Sequence, residues 1–401
     1  MNPIVTKSLG VIVAGLVFLA IWWVGVPNRE LPVFNAQPAN ANADSTVNAD
    51  ELANFIFESS WVTRNKTNES HSASIVNIKG TPVAAWYGGT EEGHKDVAIF
   101  AAQFSAEQGW SEPITVTHRA HSEAGLNRYI RKVGNPALHA WDDGRLGLFY
   151  VTVSVGGWAA SSINYMESTD LGTTWSTPQR IVASPFLNVS TLVRTEGHNL
   201  KGGGLKLPAY HEFLGKFSEV LQFNHDLTLQ DKSRISRGKY SLQPALVAID
   251  ENQILALLRY AGNPPNRVLS ANSFDGGKHW THPIQTDLPN PNSAVALATL
   301  PSGRLMLALN DLEDDRYRLS LAVKNCGKWQ LLRKVEESLD PEPGQEFEYS
   351  YPSLSRTPDG LMHLVYTWNQ SRIKHIRFNE AWLIAGDDHG LSLPECTQDS
   401  V

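Results

Sequence analysis

Three short stretches carry the residue types that acid–base or nucleophilic chemistry needs. "GGTEEGHKDVAIF", from Gly88, sets Glu91, Glu92 and Asp96 close together. A carboxyl among carboxylates has its pKa raised, which suits a general acid, although the same run also reads as a solvated loop with a charge cluster. "YHEF" places His211 beside Glu212, a pair able to act as acid and base or to ligate a metal, and equally able to form a strand-end hydrogen bond. "YSYPSL" puts Tyr349 and Tyr351 on one face of a strand. They read either as core aromatics or as phenols, and a phenol needs activation because its free pKa is near ~10. No further His cluster with metal spacing accompanies these residues, so neither metal nor cofactor is expected.

The elements that must position them repeat. "STDLGTTW" (168–175) and "SFDGGKHW" (273–280) share Ser, Asp, Gly and Trp at the same offsets. Asp170 and Asp275 can accept bonds from nearby amides, Gly172 and Gly277 supply positive φ, and Trp175 and Trp280 bury a large ring. The pattern describes a pinned hairpin turn, and these acids are structural. Weaker echoes are "SAEQGW" (105–110) and "KNCGKW" (324–329).

A larger repeat pairs an apolar β-rich run with a polar turn and a second apolar run, starting at Ser74, Ala137, Thr191, Ala245, Ala296 and Ser353. Alternation in the flanks and turn pairs such as Asp143-Gly144, Ser302-Gly303 and Asp359-Gly360 mark hairpins, and a spacing near fifty residues is what a four-stranded blade requires. Six units predict an all-β, six-bladed propeller over 53–385, with the boxes joining the outer strands of a blade. A stacked solenoid would leave long edges exposed, whereas a closed ring does not. Closure falls to "RIKHIRFNEAWL" (372–383), which would finish the last blade or complete the first.

The chain has 401 residues and a formal charge of −7, and it shows no Lys/Arg run, which argues against a nucleic-acid partner. "LGVIVAGLVFLAIWWVGV" (9–26) is uncharged and follows Lys7. It reads as a transmembrane signal anchor that leaves 1–8 in the cytoplasm and the propeller on the periplasmic side of the inner membrane. A cleaved signal peptide competes through Ala39, Ala41 and Ala43. Residues 27–52, rich in Asn, Ala and Pro, read as a flexible tether, and 386–401 as a tail. The two cysteines are Cys326 and Cys396. The second lies in that loose tail, so no disulfide is expected.

The boxes, the six hairpins, "AAWYGGTEEGHKDVAIF", "LPNPNSA" and "YSYPSLSRTPDGLMHLVYTWNQSRIKHI" resemble the bacterial predicted neuraminidases with BNR (Asp-box) repeats, over about residues 55 to 380. The resemblance implies a sialidase-like site. Glu92 stands at the place of the acid that protonates the leaving group, with Glu91 and Asp96 beside it, and Tyr351 stands at the nucleophile. A neutral phenol avoids repulsion from the substrate's own carboxylate. Where true sialidases place a Glu as base for the Tyr, this chain has Gln243, leaving Glu348 or Glu212 as substitutes. Arg259 and Arg316 correspond to two arginines of the carboxylate clamp, with Arg318 the neighbouring alternative to the latter. His71 stands at the third. Asn135 lies near an inner strand as a further polar contact. The implied partner is an acidic glycan, and the implied activity is hydrolysis of a terminal 2-keto acidic sugar, sialic acid or a related ulosonic acid such as Kdo. The changed base also admits a propeller that binds such sugars without cleaving them.

Overall fold

The computed structural model describes residues 55–385, apart from 65–66, 185–189, 214, 239 and 339–346. The expected anchor at 9–26, the tether to residue 52 and the tail from 386 lie outside the described residues. Among the described residues no helix is long and apolar enough to cross a membrane.

Six antiparallel sheets follow one another along the chain. The first is built on Glu69–Ile78, Thr81–Gly89, Ala98–Ser105 and Ile114–His118, and the second on Lys132–Ala140, Leu146–Val153, Ser161–Ser168 and Gln179–Arg180. The third uses His198–Asn199, Leu205–His211, Phe217–Phe223 and Leu229–Arg234, and the fourth Ser241–Ala248, Ile254–Tyr260, Arg267–Ser273 and Ile284–Pro289. Ala296–Thr299, Leu305–Leu309, Arg318–Asn325 and Lys328–Glu337 form the fifth. The sixth contains Tyr349–Arg356, Met362–Trp368 and Arg372–Phe378, and the chain's first strand, Phe57–Trp61, supplies its outermost member. This is the six-bladed propeller expected. The segment at 372–383 gives the third strand of the last blade, and Phe57–Trp61 closes the ring, with Phe57 opposite Phe378 and Trp61 opposite Lys374. Blades bury their faces against each other. Val76, Val83 and Ile99 of the first meet Leu138, Leu148 and Met166 of the second in one apolar cluster, and burial of this kind stabilises the ring.

Both boxes behave as turns between third and fourth strands. Ser168 Oγ donates to Asp170 Oδ1 at 2.7 Å and accepts from Gly172 N at 2.8 Å, while Asp170 Oδ1 accepts from Thr174 N at 2.8 Å. The second box repeats this through Ser273, Asp275, Gly277 and His279. Bonds from the Thr174 amide and hydroxyl hold the Asp170 carboxyl down to about 2, as a carboxylate used for capping should be.

The hairpins carry a feature that periodicity does not reveal. Register breaks by a bulge between His71 and Ser74, Gly134 and Ala137, Leu242 and Ala245, and Ser350 and Ser353. Inside these bulges Ser72, Asn135, Gln243 and Tyr351 have φ between 47° and 53°. Ser190 (φ 61°) and Asn292 (φ 53°) hold the matching place at the entry of the third and fifth inner strands. Alternation resumes only at Ser74, Ala137, Ala245 and Ser353, which is why the sequence pattern starts there. The bulges lie just before it.

Cys326 is disulfide-bonded, and the chain's other cysteine is Cys396. The expectation of unpaired thiols is thus corrected. Tail composition reports on backbone order and carries no information about a covalent link.

A chain of buried rings supports the closing strand. Trp110 Nε1 can only donate, so His375 Nδ1, 3.1 Å away, accepts and its proton sits on Nε2. That proton points to His363 Nδ1 at 3.0 Å, and His363 Nε2 then faces Thr357 Oγ1 at 3.3 Å. Ser60 of the closing strand touches the same His375 Nδ1 at 3.1 Å. Burial, with Arg377 nearby, lowers His363 from 6.5 to about 4, against weaker opposing pulls from Asp359 and Glu58. Burial pushes His375 well below its ordinary value, and desolvation brings buried His139 and half-buried His198 down to about 4. Below pH 6.5 the unfolded chain takes up protons that these rings refuse, so stability present at neutral pH is lost as pH falls toward about 4. His363→Gln should flatten the pH slope of urea-unfolding free energy in that window; an unchanged slope would place the titration elsewhere.

Candidate functional site

The bulged inner strands bring a polar cluster to the axis. A left-handed residue turns the backbone so that its side chain and that of its neighbour leave the normal alternation, a common use of bulges near sites. Tyr351 is the centre of the cluster. The ring of His71 meets it edge-on at 4.7 Å and meets Tyr87 at 5.8 Å. The guanidinium of Arg194, from the segment leading into His198–Asn199, lies 5.3 Å from the Tyr351 ring centroid. It donates to the Tyr351 and Pro352 carbonyls at 2.7 and 3.1 Å, which fixes the strained bulge from across the axis. The Tyr351 hydroxyl has no hydrogen bond among the described residues.

Glu92 reaches this cluster from the loop after Thr81–Gly89. It accepts from the Tyr87 hydroxyl and from Trp158 Nε1, each at 2.9 Å, and its own amide donates to Glu69 at 2.6 Å. Lys132 lies 3.9 Å above the Trp158 ring. Burial first, then the neighbouring Glu92, raises the Tyr87 phenol well above its ordinary value, so it donates to Glu92 as a neutral phenol. Asp96 is not in the cluster. Its carboxylate binds Thr90 through the amide and hydroxyl and His94 Nδ1 at 2.6 Å, and these bonds hold it at about 2.

The opposite wall is a connected polar lattice. Gln243 accepts from Arg259 at 3.0 Å and donates to the Tyr210 hydroxyl at 3.3 Å, which also accepts from Asn135 at 3.2 Å. Arg259 Nε donates to the Asn292 side chain at 2.7 Å, and Arg316 donates to the Asn292 carbonyl at 2.7 Å and to Glu348 at 2.8 Å. Gln370 bonds the other Glu348 oxygen. Burial would raise the Glu348 carboxyl, but His71, Ser350 and Arg316 together outweigh it and hold the group below its usual range. Arg318 is spent on Asp311 at 2.8 Å and Glu337 at 3.2 Å, so Arg316 is the arginine that joins the cluster. Glu212 stands at the rim beside Tyr210, its amide held by Ser190 at 3.0 Å. His211 pairs instead with Glu219 at 2.7 Å.

Charge is distributed unevenly. Burial lowers His71, with opposing pulls from Glu348 and Glu92, and its Nδ1 is buried with no hydrogen-bond partner. Arg194 is 2 % exposed. Burial brings it down to about 10, still a cation at neutral pH. Glu196, two residues further along the chain, is pushed up to about 8 by burial and so does not cancel that charge. Among the described residues no three His, Cys, Asp or Glu side chains are grouped to hold a metal ion. Sequence reasoning missed Arg194, Tyr87, Tyr210, Trp158 and Asn292. The available signal for Arg194 was a lone arginine inside the apolar run "TLVRT".

The propeller thus carries Asp-box turns on its outer strands and a phenol, a carboxylate and arginines at its axis. Residues 80–364 match the BNR repeat-like domain, and the chain belongs to that family. Among solved structures it is similar to a protein of unknown function from Dyadobacter fermentans (15% identity, TM-score 0.63, covering 80% of this chain and 98% of that one). It is also similar to the Hadza microbial sialidase Hz136 (14%, TM-score 0.64, 80% and 68%) and to the intramolecular trans-sialidase of Ruminococcus gnavus (14%, TM-score 0.62, 80% and 96%). These identities establish the fold alone. No curated protein matches the chain.

Gln243→Ala should cost about 1–3 kcal/mol in urea unfolding, because it strands Arg259 and the Tyr210 hydroxyl in a buried wall. Gln243→Glu should keep stability near the parent, since the Arg259 contact survives and Tyr210 can turn to donate.

Proposed function

We propose that the protein is an exo-glycosidase acting on a terminal 2-keto acidic sugar, sialic acid or a relative such as Kdo, on a glycoconjugate. The observation that carries this is the convergence of the unengaged Tyr351 hydroxyl, Glu92 and two arginines on one axial space. Arg259 Nη2 and Arg316 Nε carry no hydrogen bond to the described residues and would take the sugar carboxylate. Tyr351 attacks the anomeric carbon while Glu92 protonates the departing glycosidic oxygen, giving a tyrosyl glycoside. Glu92 then deprotonates the water that releases the sugar.

The missing base at Gln243 has an available substitute. Arg194, a buried cation with no carboxylate partner among the described residues, lies over the Tyr351 ring and would stabilise charge developing on the reacting oxygen. His71, lowered by burial and with Nδ1 unpartnered among the described residues, can take the proton. Asp96 positions the Glu92 loop through Thr90 and does not act on substrate. A second reading, sugar binding without cleavage, is favoured by Gln243, whose amide is locked between Arg259 and Tyr210 and cannot accept a phenolic proton. In either case the partner is an acidic glycan, and an inner-membrane anchor at 9–26 would hold the propeller at the periplasmic face.

Release of reducing 2-keto acid from a panel of sialosides and Kdo glycosides tests the reading. Glu92→Gln and Tyr351→Phe should each lower release by about a hundredfold or more. Arg194→Met should lower release by about tenfold or more, because the reacting oxygen loses its neighbouring cation. Binding of the same sugars with no release from the parent protein would favour the non-catalytic reading.

A further inference from the structure

On the flank of the ring, where the outer strand of the third blade (Leu229–Arg234) meets the box turn of the fourth, lies a cleft of about 360 Å³. It shares no residue with the axial cluster. Four of its eleven lining residues are Lys or Arg, two are His and none is acidic, on a chain whose formal charge is −7. Two stretches that are unremarkable in sequence, 232–237 and 278–283, are placed face to face by blade packing, so a concentrated basic surface forms without any basic run.

The charges are held and largely uncompensated. Arg234 lies 4.1 Å over the Phe217 ring, and neither it, Arg237 nor Lys278 forms an ion pair with a described residue. Lys232 is partly offset by Glu219 at 3.4 Å, and His279 is held by Asp275 at 2.6 Å. Asp275 is itself consumed by its turn, accepting from the Lys278 and His279 amides at 3.1 and 2.9 Å. Trp280 lines the cleft with its indole N–H tied to Ser233 at 3.3 Å, which fixes its ring. Two guanidinium forks suit a tetrahedral oxyanion, an ammonium adds a point charge, and an indole beside them suits a sugar ring.

We propose that this cleft is a second binding site, for a sulfate or phosphate ester carried on a saccharide. The aromatic wall selects the saccharide over the free anion, and the arginines select the ester over a neutral sugar.

The test is calorimetric titration of the full chain with a sulfated hexasaccharide, with maltohexaose and with inorganic phosphate. The sulfated sugar should bind, weaken as salt is raised, and exceed inorganic phosphate by about tenfold or more, whereas maltohexaose should give no heat. Arg234→Gln with Arg237→Gln should weaken binding by about tenfold or more, and Lys278→Glu should do the same by charge reversal. Thermal midpoints and any turnover at the axis should stay unchanged, because these side chains are exposed and remote from Tyr351. Equal affinity for inorganic phosphate would overturn the saccharide assignment. No binding, or binding that survives both variants, would overturn the site.

Discussion

The axial cluster depends on a backbone distortion repeated once per blade. Six residues that are not glycine, at Ser72, Asn135, Ser190, Gln243, Asn292 and Tyr351, sit in the left-handed region, where each costs about 1–2 kcal/mol relative to ordinary strand. Such strain persists only where surroundings over-determine it. Arg194 does so for Tyr351 by holding two carbonyls of its bulge, and Ser190 is held by its own hydroxyl, which takes two amides from the next hairpin. Flatten the bulges and the polar side chains would rotate into the blade interfaces, where apolar clusters leave them no partners.

This constraint also explains what could be read in the sequence. Period-2 alternation and turn pairs located the six hairpins, because strands beyond the bulge obey simple rules. The bulge itself inserts a residue and so erases the alternation at the positions that matter. His71 and Gln243 were accordingly found through family resemblance, which also chose Tyr351 over Tyr349, while Asn135 drew notice only as a polar residue beside an inner strand. Arg194 obeys neither guide. It is a buried cation in the segment before His198–Asn199, and its partners are backbone carbonyls of the sixth blade, which no one-dimensional pattern names. The opposite error concerns Asp96, which as a charge near Glu92 resembles a catalytic carboxylate, while geometry spends it on Thr90 and His94.

The two ends of a blade divide the labour of polar groups. Outer turns use carboxylates as fixed caps, with Asp170 and Asp275 both held at about 2, so their charge is committed. The axis does the reverse. Among the described residues His71 Nδ1 has no partner, Arg194 no counter-charge and the Tyr351 hydroxyl no hydrogen bond, leaving unsatisfied capacity in a place of low dielectric where each interaction is strong.

Closure by Phe57–Trp61 bears on how the chain acquires its structure. Glu58 pairs with Arg377 across 319 positions at 2.8 Å, so the first blade-forming segment to be synthesised belongs to the last blade completed. Until the segment ending at Phe378 is made, the initial strand has no hydrogen-bond partner, and for a moment the sixth sheet has an open edge of its own. Non-local pairing of this kind is slow, and unpaired edges invite association between chains. The ring that finally hides every long edge therefore exposes one during its own assembly, and the interval is set by the length of the polypeptide between the two strands.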